Sequence, residues 1–125
     1  MRFTLLDGLF AVARLDADAD VPPWSHRGAF TTITRTPHEL SIVCDEGGVP
    51  DEVPAERGWR CLGIEGPIAF ETTGVAASFT GALAARGISV FVVSTFDTDY
   101  VLVKASKVDA AVEALRDAGY DVTAH

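Results

Sequence analysis

The chain has 125 residues and a mass of 13.3 kDa, about the size of one compact domain, which excludes a large multi-domain enzyme. Its apolar content of 48% is close to the globular average, so it is expected to bury a core without disulfides or structural metals. The formal net charge of −8 repels phosphate backbones and anionic lipid, which argues against nucleic acid and membrane surfaces as partners.

The cysteine content and the first residues indicate the compartment. The chain has two cysteines, Cys44 and Cys61, too few for a disulfide framework or a zinc ribbon, and both are expected to be reduced core thiols. No stretch approaches the roughly 20 apolar residues of a membrane span. The start, Met1–Asp7, is too short and too acidic for a signal peptide. The predicted location is the cytoplasm.

The first half, residues 1–57, is predicted to consist mostly of strands. Short β-rich runs between glycine, proline and aspartate predict strands at Leu9–Leu15 and Phe30–Arg35. Thr36–Glu39 has a capping Thr, a Pro at the first helical position and a Glu three residues after the cap, which is typical of a helix start. We therefore expect one helical turn there, followed by a strand at Ser41–Cys44.

The second half, residues 58–125, predicts six elements in the order strand, helix, strand, strand, helix, strand. The buried face of the first helix is predicted from apolar side chains at helical spacing, Val75, Phe79, Ala82 and Leu83. The predicted strands are Arg60–Glu65, Ile88–Val93, Tyr100–Lys104 and Tyr120–Thr123, and the predicted helices run from Thr72 or Thr73 to Gly87 and from Ser106 to Gly119.

This order of elements predicts an α+β fold. Two strand–helix–strand crossovers, each right-handed, give a four-stranded antiparallel sheet with both helices on one face, the ferredoxin-like βαββαβ plan. The first half supplies strands but no convincing first helix, and is therefore predicted to be a reduced copy of the same unit. The sequence thus predicts two domains, residues 1–57 and 58–125.

The sequence contains no convincing catalytic group. The histidines are scattered through predicted loops and the last position, without a positioned partner: His26, His38 and His125. Ser94 precedes no glycine elbow, and Cys61 lies in a strand, where a buried thiol behaves as a small hydrophobe. We therefore predict a non-catalytic protein without a metal or other cofactor.

The segment Asp97-Thr98-Asp99 admits three interpretations, since it places polar residues between two apolar strands. Its carboxylates could hold Mg²⁺ or Mn²⁺, although the sequence lacks the phosphate-binding loop that nucleotide-linked metal chemistry requires. It could be a hairpin turn whose side chains bond to the turn's own amides. It could also accept the ammonium group of an amino acid, while amides at the helix start after Gly74 hold the ligand's carboxylate.

Gly74 and the strand that follows the first helix carry two further interpretations. A residue without Cβ lets a ligand approach the backbone, but Gly74 fits a simple helix cap or a close helix–sheet contact equally well. The strand residues Val90–Val93 are apolar on both faces, which favours pairing with a second copy of the chain. We therefore expect a homodimer.

Several motifs resemble the ACT domain, the small-molecule regulatory module of amino-acid metabolism. They are Gly66-Pro67, Thr73-Gly74-Val75-Ala76-Ala77 and the run from Ala85 to Val103, which contains Ser94-Thr95-Phe96 and Asp99. Within that family they are similar to the bacterial proteins related to the CASTOR arginine sensors. The run from Phe30 to Asp45 is similar to the degenerate leading unit of the same branch.

The resemblance implies two ACT-like units in the chain and a ligand site between the C-terminal units of paired chains. The matching residues in such sensors imply that Asp99 meets polar groups of the ligand, that Thr95 and Phe96 line the pocket, and that Gly74 opens the helix end. The amides of Gly74 and Val75 would then face the ligand's carboxylate. The known sensor has four units, so a homodimer would complete the arrangement.

Three hypotheses about function follow. The first is a non-catalytic regulatory or sensor module that binds an amino acid or a similar small zwitterion. The second is a protein–protein interaction module with an empty or vestigial pocket, which would hold its partner whether or not metabolites are present. The third is an enzyme that uses Asp97 and Asp99 with a metal, which predicts tight binding of a divalent cation.

Overall fold

The computed structural model describes residues 1–66 and 74–124. These residues form an α+β structure, as predicted. Its elements are β1 (Arg2–Leu5), β2 (Phe10–Leu15), β3 (Thr32–Arg35), β4 (Leu40–Asp45), β5 (Ala55–Ile64), α1 (Val75–Ala84), β6 (Phe91–Ser94), β7 (Asp99–Lys104), α2 (Val108–Asp117) and β8 (Asp121–Ala124).

The chain divides into two compact units. The N-terminal unit is Gly8–Trp59, and the C-terminal unit is Met1–Asp7 together with Arg60–His125. Strand β5 therefore contributes its first residues to the N-terminal unit and its last residues to the C-terminal unit. Each unit has its own cluster of buried apolar side chains.

The C-terminal unit has the predicted ferredoxin-like order of elements, β5, α1, β6, β7, α2 and β8. Its strands pair in the order β6-β7-β5-β1-β8. The prediction of a four-stranded, fully antiparallel sheet is wrong, because β1 pairs with both β5 and β8. It runs antiparallel to β5 and parallel to β8.

The first residues of the chain explain this difference. Phe3 is fully buried, and Leu5 packs against the same core as the two helices. The sequence-based division assigned these residues to a domain of residues 1–57, whereas Met1–Asp7 cluster with the C-terminal unit. An alternation of four residues is too short to mark a strand in the sequence, and hydrogen bonds to distant strands fix its place.

The core of the C-terminal unit lies between the sheet and the two helices. The predicted buried face of α1 is confirmed at Phe79 and Leu83, while Val75 is half-buried at the edge of the core. Helix α2 buries Ala111, Ala114 and Leu115 at helical spacing. The remaining members come from the sheet and the segment after α1: Phe3, Leu62, Ile64, Ile88, Val101, Val103 and Val122.

The N-terminal unit follows the same order of elements with the α-helices missing. Its strands pair in the order β3-β4-β2-β5, and a 3₁₀ helix, Pro23–His26, lies between β2 and β3. A second 3₁₀ helix, Glu46–Gly48, follows β4. The core is correspondingly small, and its buried members are Ala11, Ala13, Leu40, Ile42, Cys44 and Val49.

The predicted helical turn at Thr36–Glu39 is wrong, because these residues close the antiparallel hairpin of β3 and β4. The amide of Thr36 donates to the carbonyl oxygen of Glu39 at 2.9 Å. The Thr36 hydroxyl oxygen accepts the amides of His38 and Glu39 at 3.1 and 3.2 Å, as a capping Thr would. The cap chemistry was thus predicted, but strand pairing on both sides leaves no room for a helix.

The strand predicted at Ile88–Val93 begins only at Phe91. Gly87 has a positive φ of 70°, and the amide of Ile88 donates to the carbonyl oxygen of Leu83 at 3.1 Å. This hydrogen bond closes the end of α1, and the buried Ile88 side chain packs beside it. The start of the predicted strand is therefore the C-terminal cap of the helix. The caps predicted for α1 at its other end, Thr72 and Thr73, lie outside the described residues.

Both cysteines are buried free thiols, as predicted. Burial raises the pKa of the Cys61 thiol to about 12. Burial, with a smaller contribution from the charge of Asp45, also raises the pKa of Cys44. Both thiols are therefore protonated at neutral pH, which does not suit them to act as nucleophiles.

Candidate functional site

Three of the five predicted site residues, Thr95, Phe96 and Asp99, lie in the hairpin of β6 and β7. The turn between the strands is closed by the Thr95 amide, which donates to the carbonyl oxygen of Thr98 at 2.8 Å. The Thr95 hydroxyl donates to the same carbonyl at 3.1 Å, and its oxygen accepts the Thr98 amide at 3.3 Å. The side chain of Thr95 therefore stabilises the turn, which agrees with the hairpin interpretation of this segment.

Thr98 attaches the turn to the central strand of the C-terminal unit. Its side chain is buried, and its hydroxyl donates to the carbonyl oxygen of Ile64 at the end of β5, at 2.8 Å. Phe96, at the tip of the turn, is 79% exposed. The hairpin is thus attached to β5 at one side and exposes a large apolar ring at its tip.

Asp99 is the first residue of β7 and pairs across the hairpin with Ser94. The Ser94 hydroxyl donates to Oδ1 of Asp99 at 2.6 Å. Val101 and Val103 belong to the core under the helices. Since alternate residues of a strand share a face, Asp99 lies on the helix-covered face of the sheet. It is at the end of β7 next to the turn.

The other two predicted residues, Gly74 and Val75, form the start of α1. Gly74 has a positive φ of 77°, and its carbonyl oxygen accepts the amide of Ser78 at 2.9 Å. Among residues 1–66 and 74–124, no atom lies within 4 Å of the position that a Cβ would take at Gly74, and its positive φ is itself a conformation that favours glycine. No side chain among the described residues caps this end of α1.

A cavity of about 340 Å³ lies beside the same hairpin, and none of the five predicted residues lines it. Its lining includes Thr4, Gly63, Glu65, Asp97 and Tyr100. Thr4, Gly63 and Tyr100 alternate with the core residues of their strands, so the cavity lies on the face of the sheet away from the helices.

One residue of the sequence, Gly63, indicates this cavity. A Cβ at Gly63 would lie 2.7 Å from a ring carbon of Tyr100, so the ring of Tyr100 packs directly on the backbone of Gly63. An isolated glycine within a strand indicates such a close approach. Which residue would pack there could not be known before the pairing of β5 with β7.

Among residues 1–66 and 74–124, no group of three or more His, Cys, Asp and Glu side chains is arranged to hold a metal ion. Over the same residues, neither helix is long and apolar enough to cross a membrane.

Two family models match the chain. The model of the ACT domain matches residues 55–117, which begin with β5 and end with α2. A model of an N-terminal domain matches residues 8–52, within the N-terminal unit. The second match lies within the N-terminal unit, and residues 60–117 of the ACT domain match lie in the C-terminal unit.

Named relatives include arginine sensors of mammals. The human protein "Cytosolic arginine sensor for mTORC1 subunit 1" is 37% identical over 115 residues, which are 91% of this chain and 28% of the sensor. The bovine protein of the same name is 29% identical over 104 residues, 74% of this chain and 32% of the sensor. The chain thus spans about a third of the length of these relatives.

Solved structures show the same fold. A protein from Agobacterium tumefaciens is 39% identical, with a TM-score of 0.93 over 99% of this chain and 92% of that chain. The regulatory subunit of aspartate kinase from Thermus thermophilus is 16% identical, with a TM-score of 0.58 over 91% and 94% of the two chains, and shows likeness of fold alone. Since the ACT domain model covers half of the sequence, the chain belongs to the ACT domain family.

Proposed function

We propose that the chain is a non-catalytic regulatory module that binds an amino acid or a similar small zwitterion between the C-terminal units of two copies. The observation that carries the proposal is the ACT domain match, which spans both halves of the predicted site. The human relative is named as an arginine sensor, which makes L-arginine the first ligand to test.

The chemistry of the two groups of residues supports this proposal. The Asp99 carboxylate would accept a hydrogen bond from the ammonium or guanidinium group of the ligand, since charged pairs of this kind are short and strong. The amides of Gly74 and Val75 open the helix α1, where the positive end of the helix dipole favours a carboxylate. Opposite charges of the protein would then match both ends of a zwitterion.

Thr95 and Phe96 would complete the pocket. Thr95 already holds the turn with its hydroxyl, so its role would be to keep Asp99 in place and present its methyl group. Phe96, whose ring is largely exposed in the single chain, would form an apolar wall of the pocket. A homodimer located in the cytoplasm would bring these residues against a second C-terminal unit.

A thermal-shift panel of the twenty amino acids, with L-arginine included, tests the proposal. A ligand at one hundred times its dissociation constant stabilises the folded state by about 2.7 kcal/mol, which raises Tm. Asp99→Asn should remove the shift, whereas Asp97→Asn, which removes an equal charge from the same turn, should keep it. A folded dimer that responds to none of the amino acids would contradict the proposal.

A second candidate function is a protein–protein interaction module with an unused pocket. The exposed ring of Phe96 and the exposed side chain of Val92 on β6 favour it, because both are apolar and lie on one hairpin. The same panel separates the two functions. An interaction module would show no amino-acid response, and Phe96→Ser would abolish binding of its partner without lowering Tm.

A further inference from the structure

The two hairpins of the chain have the same turn but different side chains beside it. The Thr36 and Thr95 amides each donate to the carbonyl three residues later, at 2.9 and 2.8 Å. The last strand pair before the turn is Arg35 with Leu40 in the first hairpin. In the second hairpin it is Ser94 with Asp99. The turn therefore forms without a serine–aspartate pair, and the hydrogen bond of that pair is not needed to close it.

The same comparison shows what the pair changes. Leu40 is fully buried and belongs to the core of its unit, whereas Asp99 is only partly buried at the corresponding position. The Arg35 guanidinium donates to the carbonyl oxygens of Ala17 and Ala19, so this side chain bonds to the segment after β2 rather than to the turn. Ser94 instead turns its hydroxyl to the carboxylate across the hairpin.

A hydroxyl bond to one carboxylate oxygen fixes an otherwise loose group. The terminal torsion of an aspartate is broad, so an unsupported carboxylate samples many orientations. The 2.6 Å bond from Ser94 occupies Oδ1 of Asp99 and selects one orientation. The second oxygen of the carboxylate is then presented in a defined direction, with its lone pairs available to a donor.

We propose that Ser94 is a positioning residue, which holds the Asp99 carboxylate in the orientation that receives the cationic group of the ligand. The inference rests on the proposed function, in which Asp99 is that acceptor. A carboxylate oriented before binding loses less conformational freedom when the ligand arrives, so the hydroxyl strengthens binding without touching the ligand.

Calorimetric titration of the full chain with L-arginine tests the proposal in the wild type and three variants. Ser94→Ala should raise the dissociation constant about three- to tenfold, the range expected for one hydrogen bond. Ser94→Thr keeps the hydroxyl and should bind within about twofold of the wild type. Ser89→Ala, an exposed serine ahead of β6, is the matched control and should leave binding unchanged. The unliganded Tm of Ser94→Ala should not fall below that of Ser89→Ala.

A background without the carboxylate separates positioning from general support of the hairpin. If Ser94 acts through Asp99, adding Ser94→Ala to Asp99→Asn should not weaken binding further. The effects of two substitutions on binding do not add when one residue acts through the other. The inference would be overturned by tight binding of L-arginine to Ser94→Ala or by weak binding to Ser94→Thr. It would also be overturned if Ser94→Ala had a lower unliganded Tm that accounts for its loss of affinity. If the wild type binds neither L-arginine nor any other amino acid, the proposed function fails first, and the inference with it.

Discussion

The N-terminal and C-terminal hairpins show how one turn serves two purposes. In both hairpins a threonine closes the turn, with its amide bonded to the carbonyl three residues on. The first residue of the returning strand then differs, a fully buried Leu40 in one case and a partly buried Asp99 in the other. The turn is thus a common scaffold, and one position beside it decides between core and candidate site.

The segments after the two hairpins differ in the same way. Both returning strands lead into a 3₁₀ helix, Glu46–Gly48 or Ala105–Lys107, but only the second continues into an α-helix, α2. In the N-terminal unit the guanidinium of Arg57 donates to the carbonyl oxygens of Glu46, Val49 and Pro50. One side chain there satisfies carbonyls that a longer helix would otherwise have bonded to its own amides.

Exchange of the residues beside the two turns should have the largest effect. Leu40→Asp places a carboxylate in a fully buried position, and should destabilise the protein by about 4 kcal/mol or more through lost packing and desolvation. Asp99→Leu should cost less than about 1 kcal/mol, because the position is partly exposed, while abolishing any amino-acid response. Urea unfolding of the two variants measures both values, and similar losses would contradict the comparison.

Removal of Arg57 should have the next largest effect. Arg57→Met keeps much of the apolar length of the side chain but leaves three carbonyl oxygens without their charged donor. It should therefore lower the free energy of unfolding by about 2 kcal/mol. Arg14→Met is the matched control, since the exposed Arg14 donates to one carbonyl, that of His38. It should cost about 0.5 kcal/mol or less. Equal losses for the two variants would show that Arg57 does not stand in for a helix.

The smallest expected effect tests the equivalence of the two turns. Thr36→Val and Thr95→Val each remove the hydroxyl oxygen that accepts turn amides, and each should cost about 1 kcal/mol. Thermal unfolding of the two single variants and of the double variant measures this, and the double variant should lose about the sum. If only one of the two variants lost stability, the two turns would have similar hydrogen bonds but would contribute unequally to the free energy of unfolding.

Local patterns predicted much of the C-terminal unit. The apolar spacing of Phe79 and Leu83 predicted the buried face of α1, and the hairpin turn was one of three interpretations left open for the Asp97 segment. The features that the sequence did not predict depend on contacts between residues far apart in the chain. The sequence pattern of Arg2–Leu5 does not predict a strand, because only the pairing of β1 with β5 and β8 makes it one. No local pattern predicts the cavity beside Tyr100, because its walls come from separate strands.

The sequence by itself determined the order of elements from β5 to β8, the buried face of α1 and the capping chemistry of Thr36, because spacing and side-chain chemistry act over a few neighbours. Tertiary structure decided what those patterns became. Strand pairing converted the capping motif of Thr36 into a hairpin, and burial made Leu40 a core residue. The Ser94 hydroxyl bonds to Asp99 because the register of β6 and β7 places the two residues opposite each other. No local sequence pattern specifies that register.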